Sequence, residues 1–107
     1  MSAAPLSIFG TRLKEARLAA GLSQKQLGIE AGLDRFVAST RINRYELGVH
    51  KVDYGFALRL AGLLQVPVAY FYADDAELAR LILLFGRLPK RKRSDLISYA
   101  ETLNGGT

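Results

Sequence analysis

Cysteine is absent from the 107-residue chain, which excludes disulfide bridges and thiol chemistry and suits a reducing compartment. Histidine is nearly absent: His50 stands alone and cannot build a metal site by itself. Long apolar runs are missing too. The run Leu81 to Phe85 is far too short to span a bilayer, and the opening stretch Met1 to Pro5 lacks the basic-then-apolar layout of a signal peptide. A soluble, unexported, cytoplasmic protein is the expectation. No nucleophile-base pair, metal-ligand cluster or glycine-rich phosphate loop stands out, so neither catalysis nor a cofactor is expected. Convincing period-two strands, internal repeats and low-complexity segments are also lacking.

Half of the residues are apolar, enough at this length for one compact core and too few residues for two ordinary domains. The formal charge of +5 points to a polyanionic partner, nucleic acid before membrane, although many basic proteins bind neither.

Helical signals follow one another along the chain. Phe9, Leu13, Ala16 and Ala20 recur at helical spacing, with Arg12, Lys14 and Glu15 on other faces and Gly21 placed as a stop, predicting helix one over residues 7–20. Ser23 reads as the N-cap of a short helix two, residues 24–31, which Gly32 can close in a left-handed conformation. Ala38, Ile42 and Tyr45 share one face of helix three, ending at Gly48, while Thr40, Arg41, Asn43, Arg44 and Leu47 point elsewhere. A fourth amphipathic helix carries Ala57, Leu60, Ala61 and Leu64 and stops before Pro67. Val68, Tyr70, Phe71 and Tyr72 form a short helix over that core. Asp74 and Asp75 can cap a helix over residues 76–86, and Pro89 permits a last one with Leu96, Ala100 and Leu103 on one side.

A strong N-cap, a short helix, a glycine turn and a second helix with exposed polar side chains form the layout of a helix-turn-helix module. Through "RLKEARLAAGLSQKQL", "EAG", "RINRYELG" and "LRLAGLLQVPVAYFY" the chain resembles the phage repressor and Cro family of DNA-binding domains, often called XRE-type regulators, over residues 8–72. The resemblance implies an all-α, lambda-repressor-like bundle of about five helices over residues 7–73, followed by a two-helix extension over residues 74–107 that could dimerise. It implies double-stranded DNA as partner, a homodimer on an operator, a bacterial or phage repressor, and leaves any small-molecule effector open.

Site residues carry over by position. Arg17 would pair with Glu46 and tie helix one to the end of helix three; the alternative is two independent solvated side chains. Ser23 and Gln24 fall at the helix-two entry, where Ser23 serves as cap and Gln24 meets a DNA phosphate. Ser39, Thr40, Arg41, Asn43 and Arg44 fall on or beside base-reading positions: arginine presents two donors to guanine, asparagine pairs with adenine, threonine offers a methyl or a hydroxyl. His50 and Lys51 match a loop that tracks the sugar-phosphate backbone.

Two features depart from the pattern. Gly28 stands where the family carries alanine, at the crossing of helices two and three, and costs roughly 1 kcal/mol in a helix interior. The segment from Gly32 to Ile42 is longer by about four residues, close to one helical turn. Asp34 could cap a lengthened helix three, or Leu33 to Val37 could form a wider loop with the helix starting near Ala38 or Ser39. The loop is preferred here because Phe36 and Val37 could then fold back on the core. In the C-terminal part, Leu78, Leu81, Ile82, Leu83, Leu84 and Phe85 wrap most of a helix in apolar surface, which requires two partners, either a second subunit or the last helix of the same chain. The run Lys90 to Arg93 could touch flanking DNA or be a solvated surface. Two other functions stay open: the antitoxin of a toxin-antitoxin pair, and a helical module that binds protein instead of DNA.

Overall fold

The computed structural model describes residues 7–105; the stretch read above for a signal peptide lies outside them, as do the last two residues of the 74–107 segment. Among the described residues there are six α-helices, one 3₁₀ helix and no strand. They are α1 (Ile8–Ala19), α2 (Gln24–Glu30), α3 (Ala38–Leu47), α4 (Tyr54–Leu64), the 3₁₀ helix (Val68–Tyr72), α5 (Ala76–Arg87) and α6 (Lys90–Leu103). The expected all-α bundle with two further helices is what the chain forms.

Short polar side chains set where the helices begin. Ser7, expected inside helix one, is its cap: Gly10 N donates to Ser7 Oγ at 3.0 Å. At α2 the capping is reciprocal, with Gln26 N donating to Ser23 Oγ at 3.0 Å and Ser23 N donating to Gln26 Oε1 at 2.8 Å. Asp53 caps α4 through Phe56 N at 2.8 Å. Of the two aspartates ahead of α5, Asp75 is the cap, accepting from Glu77 N at 2.7 Å. Gly32 closes α2 at φ +96°, the left-handed turn expected of it. Gln65 does the same for α4 at φ +57° without being glycine.

The five largest fully buried side chains, Leu13, Leu27, Ile42, Leu60 and Phe71, come one each from α1, α2, α3, α4 and the 3₁₀ helix. Each stabilises by about 1.5–3 kcal/mol relative to exposure, so a single cluster locks all five elements together. Two crossings depend on a missing Cβ. One added at Gly28 would lie 2.7 Å from Ala38 Cβ and 2.9 Å from Ala38 O, so the departure from alanine lets α2 and α3 approach more closely. One added at Gly10 would overlap the Glu46 carbonyl, so α1 rides directly on the backbone of α3.

The last two helices are held differently. Ala79 is the only buried residue of α5, with Ile82 and Leu83 partly packed on the core. Leu78, Leu81 and Leu84 remain 46–49% exposed. No residue of α6 is buried, so Leu96, Ala100 and Leu103 leave this second face of α5 uncovered. The joint between the two helices is made by Arg93, whose Nε donates to Phe85 O and Leu88 O at 3.2 and 3.1 Å and whose Nη2 donates to Gly86 O at 3.1 Å. Its guanidinium lies 5.1 Å from the Phe85 ring centroid. One member of the basic run 90–93 is therefore a donor to the carbonyl end of α5, where a cation is favourable.

Candidate nucleic-acid interface

The connector between α2 and α3 resolves as a loop, and α3 begins at Ala38 with no side-chain cap. Asp34 organises the loop instead: its Oδ1 accepts from Phe36 N at 2.8 Å and its carbonyl from Val37 N at 3.0 Å. The expected return of Phe36 and Val37 to the core does not occur. Phe36 is 84% exposed and Val37 42%. A turn this tight at the head of a helix leaves no slack for either side chain to reach the Leu27–Ile42 layer.

Ala38, Ile42 and Tyr45 bury one side of α3, and the other side faces out. At about 100° per residue, Thr40, Arg44 and Leu47 lie opposite the buried line. Ser39 and Asn43 fall on the flank toward α2 and Arg41 on the other flank. All five proposed base-reading residues, Ser39, Thr40, Arg41, Asn43 and Arg44, are exposed.

The flank toward α2 is locked by a directed chain of hydrogen bonds. Arg17 and Glu46 meet in a two-point ion pair, Nε to Oε2 at 2.6 Å and Nη2 to Oε1 at 3.1 Å, with side chains only 9% and 3% exposed. Arg17 Nη1 also donates to Leu22 O at 3.0 Å, fixing the end of α1. Gln24 Nε2 then donates to Glu46 Oε1 at 3.0 Å and to Asn43 Oδ1 at 3.1 Å. The carboxylate can only accept, which forces the polarity of the chain: Gln24 presents its nitrogen inward, and Asn43 must present its oxygen to Gln24. Both amide hydrogens of Gln24 are spent inside the protein. What α2 still offers an anion is the backbone N–H groups of its first turn and the exposed side chain of Lys25. Asn43, conversely, keeps its NH₂ group for the outside.

His50 and Lys51 are exposed in the loop after α3, beyond Gly48 and adjoining the Ser7 end of α1. Lys25 in the first turn of α2, Arg35, Arg41, Arg44 and Lys51 are exposed cations on the helix-turn-helix elements and the loops beside them. Two other arginines are tied to backbone carbonyls of the protein. Arg12, placed by periodicity among the polar faces of α1, is buried, its Nε donating to Ala73 O at 2.9 Å and its Nη1 to Glu15 Oε1 at 3.0 Å. Tyr70 OH donates to the same Glu15 oxygen at 3.0 Å, so the three side chains pin the 3₁₀ helix to α1. Arg59 on α4 donates to Ala31 O at 2.9 Å, at the carbonyl end of α2. The contacts Arg12–Ala73, Tyr70–Glu15 and Arg59–Ala31 span 61, 55 and 28 residues, beyond any local pattern.

A short helix whose capped N-terminus abuts a second helix, crossed at a glycine and presenting a polar outward face, defines a helix-turn-helix module. Residues 8–71 match the model of the Helix-turn-helix domain. The chain belongs to that family, in keeping with the XRE-like helix-turn-helix resemblance of its sequence motifs. It is 31% identical over 65 residues to an uncharacterized HTH-type transcriptional regulator of Sinorhizobium medicae (strain WSM419), covering 61% of this chain and 44% of that protein. The same figures hold for one from Rhizobium meliloti (strain 1021). The chain thus spans less than half the length of these curated relatives. It is also similar to the crystal structure of the transcriptional regulator BswR, at 46% identity and a TM-score of 0.82, covering 87% of this chain and 92% of that one.

Proposed function

We propose that the chain is a transcriptional repressor that binds an operator as a homodimer, with α3 in the major groove. The observation that carries this reading is the outward face of α3, where Thr40 and Arg44 stand clear of the core with Ser39, Asn43 and Arg41 exposed on its flanks. In this reading Arg44 and Arg41 donate to guanine edges, and the free NH₂ of Asn43 donates to a base acceptor. The first-turn amides of α2, with Lys51 and His50, bind phosphates and set the register. Gln24 then acts by holding Asn43, while its backbone rather than its side chain meets the phosphate.

The dimer is supported by the uncovered face of α5. Leu78, Leu81 and Leu84, with Ile97 and Leu103 of α6, form apolar surface that the monomer leaves in water. The same surface also suits a gripped protein partner, as an antitoxin would need. Selection of binding sites from random DNA at stated salt tests the proposal, paired with light scattering of the purified chain. A repressor dimer yields a two-fold symmetric site with half-sites about one helical turn apart. An asymmetric site bound by a monomer sinks the dimer, and selection of no sequence sinks the operator.

A further inference from the structure

We infer that Phe36, backed by Arg35, reads a thymine methyl group in the major groove beside α3. The inference rests on the proposal that α3 lies in that groove. Phe36 is the most exposed large apolar side chain among the described residues, at 84%. The backbone that carries it is nevertheless held, its own N–H by Asp34 Oδ1 and the next residue's by Asp34 O. Val37 O in turn accepts from Arg41 N at 2.8 Å, so the loop tip and the first turn of α3 move as one piece. Two residues after Phe36 the helix begins, and Ser39 and Thr40 are exposed on that first turn.

The identity of the occupant follows from chemistry. Arg35 lies over the Phe36 ring, its guanidinium 5.2 Å from the centroid, so the aromatic surface is presented under a cation rather than among other apolar groups. A second apolar protein surface would have to desolvate that cation, whereas a polyanion is drawn to it. Within a polyanionic groove the apolar feature at base-pair edges is the thymine 5-methyl group, to which phenylalanine is suited. Arg35 is then left beside the phosphates flanking the same base pair. The four extra residues of the connector would thus add a contact at the leading edge of α3 without altering the register that joins Ile42 and Tyr45 to the core.

The test uses the full chain and the site it selects from random DNA. Each thymine of the half-site is replaced in turn by deoxyuridine, which removes the methyl alone, and affinities are measured for wild type, Phe36→Ala and Phe36→Leu. Wild type should lose about fourfold at one thymine, the factor that follows from one methyl-sized group leaving an apolar contact. Phe36→Ala should be indifferent to that substitution while keeping its preferences at other positions and an unchanged melting temperature, and Phe36→Leu should keep part of the sensitivity. If wild type selects a site but no thymine shows the effect, or Phe36→Ala shows it undiminished, the Phe36 inference is overturned and the DNA-binding reading stands. If wild type selects no sequence, both fall.

Discussion

Replacing Glu46 by glutamine preserves shape and removes one charge, which isolates what the Arg17–Glu46 pair does for the fold. The carboxylate accepts three hydrogen bonds, two from Arg17 and one from Gln24, and both charged side chains are almost wholly shielded from water. Glutamine offers one acceptor oxygen and an NH₂ that would face donors, so the Arg17 guanidinium is left buried and unpaired. Breaking such a pair costs about 3–5 kcal/mol, a large part of the 5–15 kcal/mol that holds a typical domain folded. The melting temperature should fall by more than about 10 °C. Thermal unfolding followed by circular dichroism measures that fall, and urea unfolding at fixed protein concentration measures the loss of free energy. The double substitution Arg17→Met, Glu46→Leu should recover much of the loss, since a well-packed apolar pair replaces a buried ion pair at little cost. A Glu46→Gln loss below about 1 kcal/mol, the range of solvent-exposed pairs, would refute the reasoning.

Gly28→Ala improves helix propensity by about 1 kcal/mol yet should destabilise on balance, because the new Cβ meets Ala38 Cβ at 2.7 Å and overpacking costs about 1–3 kcal/mol; a raised urea midpoint would contradict this. Burial first, then the hydrogen bond to Glu15 and its charge, hold the Tyr70 phenol above its usual 10.0. The folded state keeps that proton longer than the unfolded chain, so the stability it contributes is full below about pH 10 and is lost as pH rises through the higher folded value. Tyr70→Phe should flatten this alkaline decline and cost about 0.5–1.5 kcal/mol near neutrality, read from urea midpoints across the alkaline range. Leu81→Lys, at a half-exposed site, should leave the melting temperature of the monomer nearly unchanged while shifting the mass measured by light scattering from dimer to monomer.

What the sequence disclosed and what it hid divide along the range of the forces involved. Ser23, Asp75 and Gly32 act on their immediate neighbours, and the helices they bound are close to those expected. The apolar rows Ala38–Ile42–Tyr45 and Ala57–Leu60–Ala61–Leu64 need only helical periodicity, and each is buried. Phe36 defied the expectation that an apolar side chain in a loop returns to the core, because the Asp34 turn fixes the backbone before the side chain can choose. Arg12 and Arg93 read as surface charge from their spacing. Ala73 O, which draws Arg12 in, is 61 residues away and becomes its neighbour only in the folded chain, while the carbonyls that draw Arg93 in lie five to eight residues back, across the turn between α5 and α6. The inward orientation of Gln24 is of the same kind: helix entry is legible at its position, but the Glu46 carboxylate that claims its amide lies 22 residues away.

The most direct measurement of the central claim, that α3 reads bases while its surroundings hold the backbone, compares Arg44→Ala with Lys51→Ala on the selected site and on single-base variants of it across a salt series. Arg44→Ala should lose about 1–3 kcal/mol and relax preference at one base pair. Lys51→Ala should weaken binding uniformly across sequences and reduce the slope of log affinity against log salt by about 0.9. Equal, sequence-independent losses from both variants would contradict base reading by α3.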